Sequence, residues 1–98
     1  MGDIVSLVEK AQEQFDNGDY EAAAKEFARA IVVRNEPQSK NRLDESRALK
    51  QLREQADRLY TERQWSAAEA TFNEMLRRNP KDAYAAARAQ DCRAQVGQ

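Results

Sequence analysis

Seven bases recur between positions 40 and 63: Lys40, Arg42, Arg47, Lys50, Arg53, Arg58 and Arg63. Cationic side chains form charge-assisted hydrogen bonds to carboxylates, so such a run could hold an acidic partner. Asp44, Glu45, Glu54, Asp57 and Glu62 lie among the same bases and nearly cancel them. Alternating charge of this kind is what a solvated helix uses for pairing along its own face, and it argues against nucleic acid. Bond-making chemistry is poorly supplied. The chain has no histidine, so the commonest general base near neutral pH is missing. Metal-ligand spacing and a glycine-rich phosphate loop are also absent. Cys92 stands alone with Arg93 beside it, and a neighbouring cation could lower a thiol pKa slightly. An inert cysteine is the stronger expectation. No catalytic residue, metal site or cofactor is expected.

Whatever these side chains do depends on the elements that hold them. Ninety-eight residues suit one small domain, with 34% charged and 41% hydrophobic residues and only three Gly and two Pro. That composition favours packed helices over strands joined by many turns. The net charge is −1, so no global field recruits nucleic acid or anionic lipid. Residues 1–36 carry eight acids and four bases, and residues 37–98 carry nine acids and twelve bases. The second part, at +3, could steer an acidic partner. A single cysteine cannot form an internal disulfide, and no secretory leader is read, which points to a cytoplasmic setting. No apolar run approaches the ~20 residues of a membrane span. Gly2 and Ser6 match the loose pattern for N-myristoylation, but Asp3 follows Gly2 at once and no polybasic cluster is near. No lipid anchor is expected at Gly2.

Apolar spacing and end signals predict five helices. The first covers residues 3–16, capped by Asp3, with Ile4, Leu7, Val8, Ala11 and Phe15 at three- and four-residue steps. Gly18 ends it by taking a left-handed backbone. Asp19 can cap the second helix, residues 20–34, whose stripe is Ala23, Phe27, Ala30 and Ile31. Pro37 is expected to stop it. A long third helix starts near Ser39 or Asn41 and ends at Arg63, with Leu49, Leu52, Ala56, Leu59 and Tyr60 as its apolar positions. Residues 40–50 are almost wholly polar, so its first turns are expected to project into solvent or cover something outside this chain. A fourth helix, residues 65–78, carries Ala68, Phe72, Met75 and Leu76 and stops at Asn79 and Pro80. Asp82 caps a fifth, alanine-rich helix over residues 83–95, with Arg88, Gln90, Asp91 and Arg93 outward as a lid.

The chain also matches itself at an offset of 45 residues. Tyr20, Ala22, Ala23 and Phe27 fall on Trp65, Ala67, Ala68 and Phe72, and Leu7, Ala11 and Phe15 fall on Leu52, Ala56 and Tyr60. A repeated helical hairpin cannot bury its apolar face alone and must stack on a neighbour. The two blocks resemble tetratricopeptide repeats, whose pattern runs through Trp, Leu-Gly, Tyr, Ala, Phe, Ala and Pro. The first copy offers Leu7, Ala11, Phe15, Tyr20, Ala23, Phe27 and Ala30. The second offers Leu52, Ala56, Tyr60, Trp65, Ala68, Phe72, Met75 and Pro80. Lys10 and Gln55 stand where the family prefers Leu, and Gln14 replaces its Tyr. The family's repeat is about 34 residues, and the eleven extra here, about three helical turns, are placed at residues 37–50. A three-helix microtubule-interacting-and-transport fold shares the Asn17-Gly18-Asp19-Tyr20 turn but leaves residues 65–80 unexplained.

The resemblance implies an all-α stack of antiparallel helix-turn-helix repeats: repeat 1 over residues 3–36, repeat 2 over 39–80, a capping helix over 82–96. It implies a scaffold for protein contacts, with the groove lined by Val5, Val8, Gln12 and Phe15, by Lys50, Arg53, Asp57 and Tyr60, and by Tyr84 and Ala87. A peptide with an apolar residue and a carboxylate could use that surface. Family members that clamp heat-shock chaperone termini use paired Lys and Asn on successive helices. Val8 and Gln12 do not supply them, so no such clamp is expected. The expected function is a non-catalytic adaptor for a protein or peptide partner. Self-association into a homo-oligomer competes closely, because two repeats bury little, and weak nucleic-acid binding comes third.

Overall fold

The computed structural model describes the backbone of residues 3–33 and 37–97 and the side chains of residues 7–33 and 38–97. Five helices follow in order: α1 (Asp3–Asp16), α2 (Tyr20–Val33), α3 (Pro37–Thr61), α4 (Trp65–Arg78) and α5 (Ala83–Val96). No strand occurs among the described residues. The fold is all-α and repeat-like, and its third helix is the long one.

The chain divides into two compact units, Met1–Lys50 and Gln51–Gln98, and the division falls inside α3. Each unit is a hairpin joined by part of α3. In the first, α1 packs on α2. Ala11 and Ala23 are fully buried where the helices meet, and Phe15, Tyr20, Phe27 and Ala30 fill the space around them. In the second, α4 packs on α5, and Ala56, Ala68, Phe72 and Met75 are fully buried. Small residues allow the helix axes to approach, and the rings then close the interior to protein density. Phe27 is 1% exposed and Phe72 0%.

The two hairpin turns share one hydrogen-bond plan. After α1, Gly18 N–H donates to the Phe15 carbonyl and Asp19 N–H to the Gln14 carbonyl, at 3.0 and 2.8 Å. After α3, Arg63 N–H donates to Tyr60 and Gln64 N–H to Leu59, at 3.0 and 2.9 Å. These are the paired bonds of the Schellman motif, which needs a left-handed residue at the turn. Gly18 takes φ 85°, and Arg63 takes φ 61° at the equivalent position. Asp19 accepts from Ala22 N–H at 3.4 Å, and Asp82 caps α5 by accepting from Ala85 N–H at 3.0 Å. The Asp3 cap lies outside the described side chains.

Two expectations about α3 need correction. Pro37 opens the helix rather than merely stopping the one before it, because a first-turn position has no intrahelical use for the missing N–H. The polar stretch that follows does not project into solvent. Ser39, Leu43, Ser46 and Leu49 are buried along one side of it. Serine is small enough to sit at a helix contact, and Ser46 Oγ donates to the Arg42 carbonyl at 2.7 Å, which satisfies its hydroxyl within the helix.

That stripe extends the internal repeat to a third helix. At an offset of 46, Ser39, Leu43 and Ser46 fall on Ala85, Ala89 and Cys92, all buried. Arg42 falls on Arg88. Its guanidinium lies over the Phe15 ring at 5.1 Å, as that of Arg88 lies over the Tyr60 ring at 4.3 Å. The rings beneath them also make matching edge contacts, Phe15 to Tyr20 at 5.5 Å and Tyr60 to Trp65 at 5.2 Å. The repeating unit is therefore three helices, and α3 supplies the last helix of one copy and the first of the next.

Candidate functional site

In the second unit, α3 carries Arg53, Asp57 and Tyr60 at four- and three-residue steps, which places them on one face. α5 brings Tyr84, Arg88 and Asp91 against them. Tyr84 donates its hydroxyl to Asp57 Oδ1 at 2.6 Å, and Tyr60 donates to Asp91 Oδ2 at 3.2 Å. The Arg53 guanidinium covers the Tyr84 ring at 3.9 Å, while Arg88 lies 4.3 Å from the Tyr60 ring and 5.3 Å from that of Tyr84. Phe72 supports the stack from α4, with its ring edge-on to Tyr84 at 6.2 Å. Arg53, Asp57, Tyr60, Tyr84 and Arg88 are all half-buried, and Asp91 is exposed. Two cations and two carboxylates share this surface, so it is locally neutral and highly polar. Burial first, and then the hydrogen bond and charge of Asp57, raise the Tyr84 phenol above its ordinary value. It stays a donor at neutral pH.

The first unit arranges the corresponding face differently. Val8 and Gln12 of α1, Phe27 of α2, and Gln38, Ser39, Asn41 and Arg42 of α3 line a cleft of about 370 Å³. Gln12 Nε2 donates to Asp16 Oδ1 at 2.9 Å. Ser39 Oγ is buried and has no hydrogen-bond partner among the described residues.

The expected groove residues are thus distributed as follows. Arg53, Asp57, Tyr60 and Tyr84 come together in one stack, and Val8 and Gln12 share one cleft. Phe15 is 2% exposed and lies in the core, beneath Arg42. Lys50 and Ala87 are exposed, and Val5 lies outside the described side chains. Sequence reasoning missed Arg42 and Arg88 as ring-covering groups. It set Arg88 on an outer lid, whereas the side chain turns inward over two rings. The available signal was their shared position over the Phe15 and Tyr60 pair. Cys92 is fully buried, and burial followed by the charges of Glu69 and Asp91 raises its thiol pKa, so Arg93 does not activate it.

In the first unit, Leu7, Ala28, Val32 and Val33, together with Arg29, also line an open apolar patch. Val32 is 86% exposed and Val33 63%. No helix is long and apolar enough to cross a membrane among the described residues. No family model matches this chain, and neither does any curated protein or solved structure.

Proposed function

We propose that this chain is a non-catalytic adaptor of tetratricopeptide-like type, which binds a peptide or helix of a partner protein. The observation that carries the reading is the half-exposed stack of Arg53, Tyr84, Arg88 and Tyr60. Arginine and tyrosine dominate the energetic centres of protein interfaces, because each joins a large contact area to directional hydrogen bonding. Here both rings are held in place by carboxylates, so little side-chain freedom remains to be lost on binding. The absence of histidine and the buried, poorly ionised Cys92 support a role without covalent or proton-transfer chemistry.

The test is quantitative affinity capture with the wild type, Arg53→Glu and Arg88→Glu in parallel. A set of proteins recovered by the wild type should fall at least ~10-fold with either variant, as expected for loss of a hot-spot residue. Unchanged helicity by circular dichroism must accompany the loss. Identical recovery from all three proteins removes the stack from consideration as a binding face.

The apolar patch around Val32 and Val33 favours self-association as a second reading, since such patches mark contact sites on soluble proteins. Sedimentation across a concentration series decides it. A mass that rises with concentration, and falls back in Val32→Lys, supports a homo-oligomer. A constant monomer mass excludes it.

A further inference from the structure

The cleft of the first unit and the stack of the second occupy equivalent places in the repeat. At an offset of 45 in the hairpin and 46 in the third helix, Val8 corresponds to Arg53, Gln12 to Asp57, Phe27 to Phe72, Gln38 to Tyr84 and Arg42 to Arg88. In the second unit this place is occupied from within. The Tyr84 ring sets its edge against Phe72, lies under Arg53 and sends its hydroxyl to Asp57. In the first unit the residue at that position is Gln38, which is exposed, and Val8 cannot cover a ring as Arg53 does. A cleft of about 370 Å³ remains there, with Phe27 and Ser39 among its lining residues. That volume sits near the small end of the ~300–1,000 Å³ found for ligand pockets, which is room for one aromatic side chain.

We propose that this cleft receives a tyrosine side chain from the partner polypeptide, in the place that Tyr84 fills in the second unit. The ring lies against Phe27 beside Val8. Its hydroxyl donates to the Gln12 amide oxygen, while one N–H of the same amide holds Asp16. Arg42, held over Phe15, borders the ring as Arg88 borders Tyr84. The identity of the occupant follows from the duplicate copy, where Phe72 and Arg88, the counterparts of Phe27 and Arg42, flank a tyrosine ring. The partner as source of the ring rests on the adaptor reading.

The test uses p-cresol, the tyrosine side chain as a free molecule, titrated into the full chain and followed by amide NMR. Saturable shifts at Val8, Gln12 and residues 38–42 are expected. Gln38→Tyr fills the cleft from within as Tyr84 does, and abolishes them. Val8→Arg supplies the missing cover and tightens cresol binding ~2- to 5-fold, the gain of one cation–π contact. No saturable shifts, shifts that survive in a folded Gln38→Tyr, or cresol binding unimproved by Val8→Arg each overturn the proposal. The Val8→Arg arm decides the matter should Gln38→Tyr not fold. A captured partner should also be released by saturating p-cresol. Retention shows that no partner tyrosine occupies the cleft. Cresol binding together with capture that ignores Arg53→Glu and Arg88→Glu retires the adaptor reading instead, so the two failures are distinguishable.

Discussion

Arg63 is the residue whose replacement should stabilise this protein. It sits at φ 61° at the C-terminal turn of α3, where Gly18 serves the first hairpin at φ 85°. For a residue with a Cβ, the left-handed conformation costs roughly 1–2 kcal/mol. Glycine removes that cost but gives the unfolded chain more freedom, which takes back roughly 0.5–1 kcal/mol. The Arg63 side chain is exposed, so no core contact changes. Arg63→Gly should therefore stabilise by about 0.5–1 kcal/mol. In a domain of this size, 1 kcal/mol shifts the midpoint by roughly 4–8 °C, so a rise of about 2–8 °C is expected. Gly18→Ala runs the argument in reverse and should lower the midpoint by a similar amount. Thermal and urea unfolding followed by far-ultraviolet circular dichroism measure both. A lower midpoint for Arg63→Gly, or a higher one for Gly18→Ala, refutes the equivalence of the two turns.

Other perturbations probe the core and the stack. Phe72→Ala removes a fully buried ring and should cost roughly 3–5 kcal/mol, whereas the exposed Asn73→Ala should stay within about 0.5 kcal/mol in the same urea titration. The Tyr84 phenol has a raised folded-state pKa, so its contribution to stability is complete below the unfolded value near 10. That contribution is lost as pH climbs through the folded value. An ultraviolet difference titration should show a late-ionising phenol that Tyr84→Phe removes; a late phenol persisting in the variant contradicts the assignment. Cys92 should resist iodoacetamide at neutral pH in the native protein and react fully in urea. Rapid native labelling would place the thiol at the surface.

Much of the fold could be read from residue order, because its punctuation is local. Gly18, Asn79, Pro80 and Asp82 mark ends by backbone geometry and capping, and α4 spans the residues that its stripe and stops indicate. The alanine crossings and Phe27 and Phe72 also follow from spacing alone. The start of α3 was hidden because Ser39 and Ser46 are polar by type yet buried by position, and a hydrophobic stripe interrupted by serine looks solvated. The third helix of the repeat was hidden by a one-residue change of offset. It matches by burial rather than by identity, with Arg42 and Arg88 as the conspicuous shared residues. The turn after α3 carries no glycine, so its left-handed residue gave no signal. Of the expected groove, Arg53, Asp57, Tyr60 and Tyr84 assemble as one stack because the second half of α3 and α5 lie in one unit. Phe15 was misjudged as a contact residue for a similar reason, since an aromatic at a groove-facing spacing can equally serve as the floor beneath Arg42.

The repeat of three helices can be checked through the ring currents that its register imposes. Arg42 over Phe15 and Arg88 over Tyr60 should both show side-chain Nε–H and Hδ resonances upfield of random-coil positions. Phe15→Leu should restore the Arg42 resonances and leave those of Arg88 in place. Random-coil resonances for Arg42 in the folded wild-type protein would contradict the equivalence of residues 37–50 with α5.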